Sequence, residues 1–258
     1  MNFILRTDSY KITHWKQYPP HTDGIYSYLE SRGGLSAETI FFGLQYYLKA
    51  YFEGPRFTLS DISDAAAFCK VHFGQPLFNE AGWTRLYQKF GGRFPVRIKA
   101  VPEGMAVPTR NVLLTIENTD PEFPWLTNYL ETLLVKVWDP TSVAMLSGRI
   151  RKTILGFLER TGNPSLIDFK LHDFGCRGVS SEETAAIGAA AHLLNFKAPT
   201  PLVASCYSKT SITRSKCQDS QFRRRTFHDD CLGGGTRGGS LPQHADGVPK
   251  RPSGLCLG

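Results

Sequence analysis

The chain has 258 residues, enough to bury a sizeable core, and its 41% hydrophobic and 21% charged content is that of an ordinary globular protein. No apolar run reaches about 18 residues, the length a membrane helix needs, and the start, MNFILRTDSYK, lacks the basic and apolar regions of a secretory signal. The net charge of +7 would point to acidic partners, but residues 1–197 carry 21 basic against 19 acidic side chains, and residues 198–258 carry 9 against 4. Four of the six cysteines, Cys206, Cys217, Cys231 and Cys256, also fall in that last part.

Residues 6–20, RTDSYKITHWKQYPP, crowd Asp8, Tyr10, Lys11, His14, Trp15 and Lys16 into an irregular amphipathic entry segment in which long lysine stems can cover apolar surface. SAETIFFGLQYYLKAYF places Phe41, Leu44, Leu48 and Tyr51 at helical spacing, stopped by Gly54-Pro55. LSDISDAAAFCKVHFG predicts a helix with Ser60 as N-cap and Gly74 at its end, and NEAGWTRLYQKFGG a third helix closed by glycines. VRIKAV and NVLLTIE are short, β-branched and bounded by Pro and Asn, the pattern of strands.

Next, EFPWLTNYLETLLVKVW predicts an apolar helix carrying Trp125, Tyr129, Leu133 and Val137, and a further helix is expected from about Thr141 to Glu159. LIDFKLH then predicts a strand, followed by the loop FGCRG and a helix with Ser180 as N-cap and Glu183 closing a capping box. A helix N-terminus preceded by Arg177 is an anion site suited to phosphate, and Phe174 at a strand end can stack on a flat ring. The competing account is an ordinary connecting loop whose glycines only permit the turn, since neither a Walker loop nor a full dinucleotide fingerprint is present. His14 and His172 have no metal-ligand spacing, and Cys176 has no identifiable base beside it.

From Ala198 the pattern changes. The last 61 residues hold ten Leu, Ile, Val or Phe, show no periodicity and are rich in Ser, Gly, Pro and Arg, so a disordered tail is expected. Its RRR and GGGTRGG stretches resemble an RNA-binding tail, and its cysteines include no C-x-x-C pair for zinc.

The strings TDSYKITHWKQYPP, IYSYLESR, FGLQYYL, FNEAGW, IKAVPEGMAVP, ENTDPEFPWLTNYLETLLVKVW and KLHDFGCRGVSSEETAAIGAAAHLLNFK resemble, in order, the nicotinamide phosphoribosyltransferase family from about residue 3 to Lys197. The loop after Arg32 is shorter than the family's usual charged insertion. The resemblance implies a cytoplasmic enzyme of NAD salvage that transfers phosphoribosyl from phosphoribosyl pyrophosphate to nicotinamide, with Mg²⁺ accompanying the pyrophosphate. It implies a mixed α/β fold: an N-terminal α/β domain over residues 1–145, then the opening of an incomplete type II phosphoribosyltransferase barrel over residues 146–197. It also implies a homodimer in which Phe174 stacks on one face of nicotinamide and Tyr10 of the partner subunit on the other. Arg177 matches an arginine contacting substrate, Asp8 a carboxylate of the same slot and Arg32 a phosphate-binding arginine. No nucleic acid and no membrane are implied.

The family continues past "NFK" with further substrate residues that have no counterpart here, so the chain is expected to be a truncated, inactive form. Written in synonymous codons and read one base earlier, Ala198-Pro199-Thr200-Pro201-Leu202 gives Gly-Thr-Asp-Thr-Val, which resembles the family's continuation. From His228 the opposite shift gives Thr-Met-Thr-Ala-Trp-Gly, again family-like, so residues 198–258 are expected to be an out-of-frame translation. Two alternatives stay open: a non-catalytic fragment acting as a dimerisation partner, and a relative specific for nicotinate.

Overall fold

The computed structural model describes residues 2–197 and Leu255–Cys256. Helices and strands are mixed, as expected, and no closed barrel is present among the described residues. Strands β1 (Tyr26–Glu30), β3 (Val96–Ala100) and β5 (Val112–Asn118) form one sheet in the order β3-β5-β1, with β5 antiparallel to both neighbours. Leu29 faces Leu114 and Ile98 faces Ile116 across this sheet. A two-residue strand, β6 (Leu255–Cys256), pairs parallel with Ser27 and Tyr28 of β1. The expectation of a disordered, out-of-frame tail, with its arginine run, falls on residues 198–258, which apart from this pair lie outside the described residues.

The predicted helix over residues 36–52 is two elements. Glu38–Ile40 is strand β2, paired antiparallel with β4 (Ala106–Pro108), and helix α1 covers only Leu44–Tyr51. Gly43 divides them at φ +105°, a conformation that disfavours any side chain. A Cβ there would also lie 2.5 Å from Pro140 Cγ. The N-terminus of α1 is closed by Glu103, whose Oε1 accepts the Gln45 N–H at 2.7 Å. Burial raises the pKa of this carboxyl, and backbone N–H groups of α1 pull against that rise.

Helix α2 (Leu59–Phe73) starts at Thr58 rather than Ser60, because Thr58 and Asp61 close a reciprocal capping box. Helix α3 (Glu80–Phe90) ends in a left-handed Gly91, as the sequence predicts, and is capped at its start by Asn79. The apolar stretch after Pro121 is not one helix: short helices α4 (Leu126–Tyr129) and α5 (Glu131–Leu134) and a 3-10 turn precede α6 (Trp138–Thr161). The expected division near residue 145 lies inside α6. No described helix is long and apolar enough to cross a membrane.

The predicted strand at residues 166–172 is also different. Pro164–Phe169 form a 3-10 turn, opened by the Asn163 side chain accepting the Ser165 N–H at 3.0 Å. A strand needs a neighbour to pair with, and none of the described strands pairs with this segment. Helix α7 (Glu182–His192) follows, with Ser181, not Ser180, as its N-cap. Glu183 closes no capping box; its Oε1 accepts hydrogen bonds from the Tyr46 and Tyr51 hydroxyls, each at 2.7 Å, and so ties α7 to α1.

The main core lies between the sheet and helices α1 to α5, around Trp83, Phe41, Phe123 and Leu126. A smaller one joins Phe42 to Ala144 of α6 and to Ala190 and Ala191 of α7, where small side chains let the two helices approach closely.

Candidate active site

Asp8 and Tyr10 sit where the chain enters a 3-10 turn, Ser9–Lys16. The segment is anchored from both sides. Thr7 Oγ1 donates to the Tyr129 carbonyl at 3.0 Å, Thr132 Oγ1 donates to Asp8 Oδ2 at 2.8 Å, and Ser9 Oγ lies 2.9 Å from His72 Nε2. Lys11 is buried and ion-paired with Glu131, so the expected snorkelling of this lysine toward water does not occur. Burial lowers the Lys11 pKa, while the Asp8 carboxylate raises it. The Tyr10 ring remains 55% exposed, flanked by the His14 ring at 5.1 Å.

Phe174 stands at the mouth of the loop before α7, 71% exposed and loosely stacked on His172 at 6.2 Å. Gly175–Arg177 form a short 3-10 turn with Arg177 exposed at its end. The turn is fixed from below by Asp173 Oδ1, which accepts the Gly175 N–H at 2.7 Å. The N-terminus of α7 is already served by Ser181 Oγ, which accepts the Thr184 N–H at 3.2 Å, and two carboxylates, Glu182 and Glu183, occupy its first turn. Positive charge at this loop therefore comes from Arg177 rather than from an open helix end.

The other end of the loop is held by His192, whose Nε2 lies 3.3 Å from the Leu171 carbonyl. A carbonyl only accepts, so the ring nitrogen facing it carries the proton. Burial holds the His192 pKa below the usual histidine value, against the opposite pull of that carbonyl and of Asp173. A group with a depressed folded pKa contributes stability that is present above its unfolded pKa and lost as pH falls through the folded one. Amide exchange at residues 174–179 should accelerate as pH is lowered from about 6.5, after correction for intrinsic exchange, and His192→Gln should abolish that step. An unchanged acid step in the variant would assign it elsewhere.

Arg32 follows β1 at an exposed turn carried by Gly33 and Gly34, both with positive φ. It lines a cleft of about 540 Å³ with Leu35, Trp138, Thr141 and Arg149. Neither Arg32 nor Arg149 makes a side-chain hydrogen bond or ion pair among the described residues. The cleft contains none of Asp8, Tyr10, Phe174 or Arg177. Within one chain, then, the five candidate residues fall into three groups, and no described ring contact or hydrogen bond joins Tyr10 to Phe174. Two features escaped the sequence reading: the Lys11–Glu131 pair and Glu183 as an anchor for Tyr46 and Tyr51. Both join residues far apart in the chain, which local patterns do not register.

A family model for the nicotinamide phosphoribosyltransferase N-terminal domain matches residues 2–98. Nicotinamide phosphoribosyltransferase of Xanthomonas campestris pv. campestris is 53% identical over 197 residues, covering 76% of this chain and 42% of its own length. The protein of the same name from Acinetobacter baylyi is 30% identical over 213 residues, with the same two coverages. The crystal structure of human nicotinic acid phosphoribosyltransferase superposes with a TM-score of 0.53 at 20% identity, covering 77% of this chain and 36% of that one, a likeness of fold. This chain thus spans less than half the length of these relatives. It carries a nicotinamide phosphoribosyltransferase-like N-terminal segment.

Proposed function

We propose that this chain contributes the ring-binding part of a cytoplasmic, homodimeric phosphoribosyltransferase that joins nicotinamide to phosphoribosyl pyrophosphate, giving nicotinamide mononucleotide and pyrophosphate. The observation that carries the proposal is the pair of exposed aromatic rings, Tyr10 and Phe174, each next to a charged group and set on separately braced segments. A flat, neutral ring is held by stacking on both faces, and the two rings do not meet within one chain, so the second ring comes from a partner subunit. Neither nucleic acid nor a membrane has a part in this scheme.

Asp8 uses Oδ2 for Thr132, which leaves Oδ1 to accept from a carboxamide N–H. The carboxylate of nicotinate would be repelled at the same place, which favours the amide substrate. Arg177 orients phosphate oxygens at the mouth of the slot, and Arg32 supplies a second guanidinium for phosphate. In the reaction the pyridine nitrogen forms a bond to ribose C1 while the C1–O bond breaks and pyrophosphate leaves with its electron pair. Among the described residues no group of three or more His, Cys, Asp and Glu side chains could hold a metal ion. Mg²⁺ would enter with the pyrophosphate substrate and offset the charge that develops on the leaving group.

A second reading, a dimerisation partner without turnover, is favoured by the exposed large apolar side chains Leu146, Phe157, Leu166 and Phe169, which another chain would cover. Assay separates the two. The 258-residue chain with nicotinamide and phosphoribosyl pyrophosphate should form no nicotinamide mononucleotide above background. A version continued in frame to family length should form it, with nicotinate a poorer substrate. In that version Arg177→Ala should lower kcat/KM by about 10- to 100-fold, the loss of one charge-assisted hydrogen bond. Turnover that is indifferent to Arg177 would overturn its assignment.

A further inference from the structure

The segment bearing Asp8 and Tyr10 is gripped at three successive places by one short stretch of chain. The Tyr129 carbonyl takes Thr7 Oγ1 (3.0 Å), Thr132 Oγ1 reaches Asp8 Oδ2 (2.8 Å), and the Glu131 carboxylate pairs with the Lys11 ammonium. The Lys11 N–H bonds the Asp8 carbonyl at 3.0 Å, and with three residues per 3-10 turn Asp8 and Lys11 share one edge of the segment. Tyr10 lies off that edge. Its hydroxyl makes no hydrogen bond among the described residues, and its ring is braced only by its neighbours.

One of those neighbours is Lys11 itself, whose Nζ lies 5.3 Å from the centroid of the Tyr10 ring. The same ammonium therefore serves both the Glu131 carboxylate and the Tyr10 ring. The Lys11 side chain is 3% exposed and that of Glu131 18%, so this is not a surface pair loosened by water. Fixing Lys11 in the interior also fixes where its charge lies against the ring. Resting on the proposed function, we infer that Lys11 and Glu131 are positioning residues that set the Tyr10 ring for stacking on the substrate ring.

The test uses the full chain labelled with ¹³C in its tyrosine rings, the Tyr10 signal being assigned with Tyr10→Phe. Glu131→Gln removes the charge that holds Lys11, and Lys11→Met removes the cation from the ring. Each should shift and broaden the Tyr10 ring signal while those of Tyr47 and Tyr129, buried in the core, stay in place. If either variant fails to fold, Glu131→Asp, which only withdraws the carboxylate by one carbon, should still displace the Tyr10 signal. A Tyr10 signal that stays at its wild-type position in every folded variant overturns the inference. Nicotinamide titrated into the same samples should bind about tenfold more weakly to Glu131→Gln than to wild type. If the ring moves as expected but wild-type chain and Tyr10→Ala bind nicotinamide equally, or not at all, the proposed function fails and the positioning of the ring stands.

Discussion

Trp83→Ala should destabilise the chain by about 3–5 kcal/mol, the range for removing a fully buried large aromatic side chain. Trp83 is 1% exposed and is the hub of the aromatic core. Phe57 meets it edge-on at 5.0 Å, Tyr129 at 5.0 Å and Trp125 at 5.1 Å, while Phe78 stacks parallel at 6.3 Å. Removing the indole leaves these rings facing a void that rigid neighbours cannot close. The damage should reach the candidate site as well, because Tyr129 donates its hydroxyl to the Ile4 carbonyl at 2.7 Å and accepts Thr7 through its own carbonyl. Urea unfolding followed by circular dichroism measures the loss, and Trp83→Phe, which keeps a ring at the centre, should lose less than half as much. An unfolding midpoint unchanged in Trp83→Ala would mean that the ring cluster does not hold the core together.

Helices α2 and α3 were legible because their caps and apolar spacing lie within one short window. The start of α2 lies two residues before the predicted Ser60, because Thr58 and Asp61 three places on form the better box. Strand β1 is harder to recognise from local pattern. Its two buried positions are Ser27 and Leu29, and the first hides its polar group by bonding Asn128 Oδ1 at 3.3 Å, 101 residues away. The division at Gly43 was equally hidden: apolar spacing runs straight through it, and only the approach of Pro140 and the Glu103 cap show why the helix cannot start earlier.

The candidate site divides in the same way. Which residues to watch followed from local motifs together with the family resemblance. How they are held did not, because Lys11–Glu131, Asp8–Thr132 and Glu183 with Tyr46 and Tyr51 each span more than a hundred positions. Residues 166–172 depart from the predicted strand for a related reason. An apolar run can be a strand only where a neighbour supplies its hydrogen bonds, and that condition is set elsewhere in the fold.

In a protein continued to family length, Tyr10→Ala and Phe174→Ala should each weaken nicotinamide binding by about 2–4 kcal/mol, or thirty- to a thousandfold. Most of that loss is apolar area, since each ring now stands largely in water and would be covered on stacking; the remainder is the preference of one ring for another. The two variants differ in where the defect lies. If each site takes Phe174 from one chain and Tyr10 from its partner, a dimer of one Tyr10→Ala chain and one Phe174→Ala chain has one site lacking both rings and one site with both intact. Random mixing of equal amounts makes half the dimers mixed, so about a quarter of all sites recover. Activity should rise from near background to about that fraction as the chains exchange, and tagged chains purified through both tags should approach half of wild type. Mixing Tyr10→Ala with Tyr10→Ser chains supplies the control, because neither chain brings a ring at position 10 to pair with Phe174. If doubly tagged dimers form and no activity returns, each site draws both rings from the same chain, and the segment carrying Tyr10 would have to swing across its own fold, breaking its bonds to Tyr129, Glu131 and Thr132 to get there.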